Sequence, residues 1–180
     1  MLQCSLYFVA PRTVELREAV RPEPGPDAVR VRTLASSISP GTELLIYRGE
    51  APRELAADST LSALSGGLDF PLKYGYACVG EVEALGPGVA AEWLGKRVFA
   101  FNPHEDVFVA AVAQVQCVPA DVDTLDAVLL PNMESAVNFV MVAQPLIGEI
   151  AAVVGQGVVG LLTTALLARM PLSEVIGVER

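Results

Sequence analysis

The residues with the plainest chemical meaning are Gly155-Gln156-Gly157-Val158-Val159-Gly160 and, further on, the acid Glu179. The glycine spacing suits a pyrophosphate cradle. Gly155 permits a sharp turn, Gly157 lets a phosphate approach the backbone with no Cβ in the way, and Gly160 lets a following helix pack closely. A helix starting there offers free N–H groups and the positive end of its dipole to the phosphates. Glu179 can accept hydrogen bonds from ribose hydroxyls, and its charge repels a 2′-phosphate, which favours NAD over NADP. Arg180 follows directly and could meet that phosphate, which weakens the preference. A second reactive candidate is His104, the only histidine, in Asn102-Pro103-His104-Glu105-Asp106. Imidazole titrates near neutrality, so His104 facing a cleft could act as general acid or base. A lone histidine on a polar turn between strands is more often a turn or surface residue than a base.

These residues need particular elements around them. The apolar run Ile150 to Val154 reads as a strand leading into the glycines, and Val158 to Arg169 as the helix leading out. Met170-Pro171-Leu172 closes the helix, and Glu174 to Val178 reads as a second strand ending on Glu179. Strand, turn, helix, strand, acid is the context that gives the glycine spacing its meaning. The nineteen uncharged residues between Glu149 and Arg169 also have the length of a membrane span. Three glycines, Gln156, Thr163, Thr164 and the lack of a flanking basic cluster argue against that. Met1 to Ala10 has no basic segment of the kind that opens a signal peptide.

Upstream, residues 1–120 read as β-rich. Gln3 to Val9 and Val14 to Ala19 form an expected hairpin about Pro11-Arg12. Ala28 to Ala35 alternates Val29, Val31 and Thr33 against Arg30 and Arg32, the pattern of a half-buried strand. Ala77 to Leu85, Arg97 to Phe101 and Val107 to Val112 are further strands, with turns at Pro22–Pro26, Gly66-Gly67 and Gly86-Pro87-Gly88. Residues 51–69 read as a surface loop with a short helix. Asp121 or Asp123 could cap a helix over Thr124 to Leu130, and Pro131 fits the first turn of a helix running through Ala143. Strands, then helices, then βαβ make an α/β chain with a β-rich N-terminal part: a small barrel-like domain beside a parallel sheet.

The chain has 180 residues, 52% of them apolar, so a packed core is expected. A net charge of −9 argues against nucleic acid and anionic membrane as partners. Cys4, Cys78 and Cys117 are isolated and read as buried small hydrophobes in a reducing cytoplasm.

This order of motifs resembles the medium-chain dehydrogenase/reductase family, the alcohol dehydrogenase and quinone reductase group, over nearly the whole chain. The resemblance is carried by Ser36-Ser37-Ile38-Ser39-Pro40-Gly41-Thr42-Glu43, by Pro71 to Val82 with Gly75-Tyr76-Ala77 inside it, by Gly86-Pro87-Gly88-Val89, by Gly95-Lys96-Arg97-Val98, and by the glycine turn. The first loop, with Tyr47-Arg48-Gly49 behind it, is most similar to the bacteriochlorophyllide dehydrogenase-like subgroup. The resemblance implies a GroES-like β-barrel domain over 1–122. Over 123–180 it implies linking helices and the first βαβ of a Rossmann domain. The implied activity is hydride transfer between a nicotinamide and a small carbonyl, alcohol or activated alkene.

Zinc-dependent relatives place a cysteine where this chain has Pro40 and a histidine where it has Tyr76; the third ligand position falls in Pro131-Asn132-Met133-Glu134, which offers at most a carboxylate. No zinc is therefore expected, neither catalytic nor structural. Thr42 matches the family's relay hydroxyl, or is a turn hydroxyl bonded to its own backbone. Tyr76 could donate a hydrogen bond to a carbonyl, or pack as an aromatic. Glu43 matches an acid that supports a zinc ligand in relatives, and is expected here to be solvated or salt-bridged. Ser135 and Asn138 lie on the helix that in relatives passes near the nicotinamide, or are surface polar residues. The family's parallel sheet has six strands, of which two are legible here. A chain cut or split from a longer protein is thus expected, unable to complete the reaction unless a second copy or partner chain completes the sheet. The non-enzymatic alternative is an interaction module that docks through that unfinished sheet.

Overall fold

A computed structural model describes residues 1–51 and 67–179. They divide into two compact units, Met1–Val128 and Leu129–Arg180. Most of the loop expected over 51–69, Gly66 of the expected turn, and Arg180 lie outside the described residues.

In the first unit, β1 (Leu2–Ala10) and β2 (Thr13–Val20) pair antiparallel. The chain reverses at Arg12, whose φ of 62° is left-handed. The next elements are β3 (Ala28–Ser36), helix α1 (Thr42–Arg48), β4 (Cys78–Leu85), β5 (Arg97–Ala100), β6 (Val107–Ala111) and β7 (Val115–Cys117). Their five strands form one antiparallel sheet in the order β6-β3-β4-β5-β7. The alternation read along β3 holds: Val29 and Val31 are buried and Arg32 is exposed. Those valines join Cys78, Val82, Val98 and Phe108 in one apolar core. Burial pushes the Cys78 thiol up to about 11, so it stays a protonated, unreactive core group. A second core, Phe8, Ile46, Leu72 and Tyr74, places α1 and β1 in one cluster.

After β7, helix α2 (Thr124–Ala127) is capped by Asp123, whose carboxylate accepts from the Leu125 N–H at 2.8 Å. Arg97 ties this segment to the sheet. Its guanidinium donates to the carbonyls of Pro119 (2.9 Å) and Val122 (2.6 Å) and to the Thr124 hydroxyl (3.1 Å).

In the second unit, α3 (Leu130–Ala143) carries Pro131 in its first turn and ends at Gln144, φ 45°. Next come β8 (Ile150–Val154), α4 (Val158–Leu167) and β9 (Glu174–Val178). β8 and β9 are parallel, in register from Ile150 opposite Glu174 to Val154 opposite Val178. Helix α3 packs on α4. The uncharged stretch 150–168 is thus a strand, a turn and a helix. No helix among the described residues is long and apolar enough to cross a membrane.

Several expectations need correction. Helix α1 and strand β7 were not anticipated. The helix expected over Thr124 to Leu130 stops at Ala127, and Val112 leaves β6 for a 3₁₀ turn. Of the three cysteines only Cys78 is buried; Cys4 is half-buried and Cys117 exposed.

Candidate functional site

A polar cluster of the first unit is built around His104. Its loop, 102–106, is held between β1 and β3. The Leu6 N–H donates to the His104 carbonyl (2.9 Å), the Asp106 N–H to the Cys4 carbonyl (3.0 Å), and the Thr33 hydroxyl to the Glu105 carbonyl (2.6 Å). The Glu105 side chain turns the other way, accepting from Ser5 Oγ (2.7 Å), Lys73 Nζ (2.6 Å) and Asn102 Nδ2 (3.2 Å). With the loop pinned on both sides, the imidazole has a defined place.

Both ring nitrogens are engaged. Nε2 meets Glu43 Oε2 at 2.7 Å, and Nδ1 meets Ser36 Oγ in a short hydrogen bond. Ser36 is the last residue of β3, and Glu43 sits in the first turn of α1. Glu43 is only 1% exposed and its Oε1 accepts from the Ser39 N–H at 2.9 Å, while Ser39 Oγ accepts from the Thr42 N–H at 3.3 Å. One carboxylate thus ties the loop that precedes α1 to the imidazole. The expected solvated Glu43 is overturned by its burial; its pairing with His104 is the other half of that expectation.

Gly75 brings the second motif to the same place. Its φ is 135°, and a Cβ there would lie 2.9 Å from His104 Nε2 and 3.1 Å from the His104 backbone nitrogen. Gly75→Ala is expected to destabilise the unit by about 1–3 kcal/mol through overpacking and strain. A lower urea midpoint at unchanged slope would register it.

Thr42 is exposed at the start of α1, and among the described hydrogen bonds none joins its hydroxyl to His104. Tyr76 is half-buried, packed on the Phe8–Ile46 core and edge-on to Tyr74 with ring centroids 6.4 Å apart. Sequence reasoning missed Ser36 and Ser39.

In the second unit, Gly155 has φ 91° and Gly157 caps α4 from an extended conformation. A Cβ on Gly160 would overlap the Gly155 carbonyl oxygen, whereas added Cβ atoms on Gly155 and Gly157 meet nothing within 4 Å. The first turn of the helix, Val158 and Val159 included, is therefore pressed onto the strand-to-helix turn, and the space over Gly157 is open. The Gln156 N–H donates to the Glu179 carboxylate in a short hydrogen bond. The Gln156 side chain folds inward, donating to the Val153 carbonyl (3.0 Å) and accepting from the Thr164 hydroxyl (3.2 Å). Ser135 Oγ donates to the Pro131 carbonyl one turn back at 3.0 Å.

No family model and no curated protein matches the chain. Many solved structures do. One, named a short chain alcohol dehydrogenase from Escherichia coli and complexed with NADH, superposes with a TM-score of 0.78 at 21% identity, covering 98% of this chain and 56% of that one. Another, named as a zinc-binding dehydrogenase from Sinorhizobium meliloti and bound to NADP, has a TM-score of 0.77 at 20% identity, covering 98% and 56%. A third, named as an NADPH:quinone reductase from Bacillus thuringiensis, has a TM-score of 0.77 at 19% identity, covering 100% and 53%. The chain spans about half the length of the solved structures it matches. At such identities the likeness speaks for the fold: a GroES-like strand-rich part followed by the opening βαβ of a Rossmann sheet, as in medium-chain alcohol and quinone oxidoreductases.

Proposed function

We propose that the chain belongs to a nicotinamide-dependent oxidoreductase of the zinc-independent medium-chain type, near the bacteriochlorophyllide dehydrogenase-like subgroup. Its substrate is a small molecule bearing a carbonyl, an alcohol or an activated alkene. The division into a GroES-like part, 1–122, and linking helices with the start of a Rossmann sheet, 123–180, belongs to the same proposal, as does a cytoplasmic location. The observation that carries it is the glycine turn: left-handed Gly155, open Gly157 and close-packed Gly160 at the mouth of α4. Gly155, Gln156, Gly157, Val158, Val159 and Gly160 would form the pyrophosphate cradle, the N–H groups at the N-terminus of α4 being its donors, with Glu179 toward the ribose and Ser135 on α3 toward the nicotinamide. Bound there, the nicotinamide supplies a hydride acceptor or donor. Among the chain's own groups, Thr42, Tyr76 and His104 are the candidates for handling the substrate oxygen.

The zinc-independent reading is supported by donor chemistry: Pro40, Tyr76 and Asn132, at the positions that the family resemblance assigns to zinc ligands, supply none of the usual set. In this proposal oxygen activation falls to hydrogen-bonding side chains.

Titration of the chain with NADH and NADPH, followed by nicotinamide fluorescence, tests the reading. NADH is expected to bind about tenfold or more tightly than NADPH, a difference of about 1.4 kcal/mol. Absence of binding by either nucleotide would remove the proposal.

A second reading, an interaction module, has its own support. Val142, Ile147 and Val154 are each more than 80% exposed, with Phe139 and Ile150 beside them in sequence. Exposed apolar surface on that scale marks an interface, and a second copy or a partner chain that completes the parallel sheet would cover it. Gel filtration as a stable monomer would count against this version.

A further inference from the structure

We propose that strand β2 is a self-association edge, which pairs antiparallel with β2 of a second copy of this chain about a two-fold axis at Leu16. The inference concerns the first unit alone and is independent of the oxidoreductase reading.

The topology leaves this edge open. Strand β1 is hydrogen-bonded on both sides. On one it pairs with β2; on the other Phe8 exchanges two backbone bonds of 2.9 Å with Leu72, and the Cys4 carbonyl accepts from the Asp106 N–H at 3.0 Å. Strand β2 pairs with β1 alone. Every residue from Thr13 to Val20 is exposed, and among the described backbone hydrogen bonds outside strand pairing none involves this stretch. A row of N–H and C=O groups on β2 therefore faces outward. Folded proteins blunt such edges with short strands, proline, lysine or a bulge. Strand β2 runs for eight residues without proline or lysine, and its register with β1 is regular from Val14 to Val20.

The side chains identify the occupant. When two identical strands pair antiparallel about a two-fold axis, the residue on the axis faces its own copy. An axis on Glu15, Arg17 or Glu18 sets like charges directly opposite each other, which is unfavourable. An axis nearer either end pairs only a few residues. The axis on Leu16 pairs the whole of Thr13 to Ala19 and sets Glu15 against the second copy's Arg17, and Arg17 against its Glu15. Two opposite-charge cross-strand pairs result. The one ill-matched pair, Val14 with Glu18, lies away from the axis.

Both faces of the hairpin suit this register. Glu15 and Arg17 already form an ion pair of 3.2 Å within one chain, with the guanidinium 4.6 Å from the centre of the Tyr7 ring. Their charged heads therefore sit together beside the axis. On the opposite face Leu16 is 72% exposed and stands across from Leu6, and Val14 across from Phe8. Phe8 belongs to the second core and Leu6 packs against it. Leu16 against its own copy carries that apolar surface across the axis, in a sheet to which each copy contributes β1 and β2. The contact is small, so the dimer is of the weak, concentration-dependent kind.

Sedimentation equilibrium of the full chain tests this. The mean mass should rise from monomer toward dimer with concentration. Arg17→Glu sets carboxylates opposite each other on both sides of the axis, and Glu15→Arg does the same with guanidinium groups. Each variant alone is expected to weaken association by about tenfold or more. Mixed in equal amounts, the two variants are complementary in the same register, every new charge facing its opposite, and the mean mass should return to that of the wild type. The substituted side chains are exposed, so neither change disturbs a core. A wild-type chain that stays monomeric at every concentration overturns the proposal. Association that both single variants retain overturns it too, because it would run through another surface, such as the unfinished parallel sheet. A mixture no more associated than its two components has the same consequence.

Discussion

Gly160→Ala should destabilise the unit Leu129–Arg180 by about 3 kcal/mol, while Gly157→Ala should cost no more than about 1 kcal/mol and instead weaken nucleotide binding. The two glycines lie three residues apart in one turn, and the physical reasons differ. A methyl group on Gly160 falls on the Gly155 carbonyl oxygen, a backbone atom that cannot rotate aside. Relief requires α4 to move off the turn, and α4 is packed on α3 and on both strands of this unit. A methyl group on Gly157 meets nothing within 4 Å, so the free protein tolerates it apart from the cap preference of glycine over alanine. The open space it fills is where a phosphate would have to approach the α4 N-terminus. Urea denaturation followed by circular dichroism, with hydrogen exchange of the α4 amides to localise the effect, measures the first part. Nicotinamide fluorescence measures the second. Equal stability for Gly160→Ala and wild type would mean that helix and turn are not in contact. Unchanged NADH affinity in Gly157→Ala would mean that the turn is not the cradle.

The other large effect is expected at Glu43. Glu43→Ala should destabilise the unit Met1–Val128 by about 3–5 kcal/mol, since each of the two donors that its carboxylate serves costs about 1–3 kcal/mol when left without an acceptor. A loss of that size lowers the melting temperature by roughly 10 °C or more in a unit of this length. Two functions are lost together: the acceptor for the Ser39 N–H at the start of α1, and the acceptor for His104 Nε2. Glu43→Gln keeps the volume and one acceptor and should cost about 1–3 kcal/mol. A double-mutant cycle with His104→Ala separates the two functions. If the contact with His104 dominates, the double variant is little worse than Glu43→Ala alone. If the contact with the Ser39 N–H dominates, the two losses add. A Glu43→Ala protein as stable as wild type would show that the carboxylate is not buried as the geometry requires.

Legibility varied along the chain, and the pattern has a cause. Strand β3 was readable because one face is buried, Val29 and Val31 alternating with arginines at period two, and β4 because Val82 and Ala84 fall between and beside Glu81 and Glu83. Strand β7 was not, because three residues are too few to show a period and two of them, Gln116 and Cys117, are exposed. Helix α1 was hidden by the motif it belongs to. Ser39-Pro40-Gly41 reads as a turn, and the helix that follows is only seven residues long with an apolar stretch, Leu44-Leu45-Ile46, in its middle. Its stability comes from Ile46 in the Phe8 core and from the buried Glu43 carboxylate that accepts from the Ser39 N–H, neither of which propensity reports. Thr42 matches the relay hydroxyl by its place in the motif, and the hydroxyl that bonds His104 is Ser36, six residues earlier on a different element.

The βαβ segment could be read from the sequence because nearly everything that defines it is local. Gly155, Gly157, Gly160 and Glu179 act through turn geometry, helix start and strand alternation within one continuous stretch, and these follow from backbone sterics and side-chain period. The chain Ser36–His104–Glu43 was beyond such reading. Its members are 61 and 68 residues apart, and no local rule links them. They meet because the pairing of β1 with the 102–106 loop, the register of β3 against β4, and the docking of α1 on Phe8 place three separate segments within hydrogen-bond reach. Hydrogen bonds are short and directional, so only the tertiary arrangement could decide which of several serines, threonines and acids would hold the one histidine.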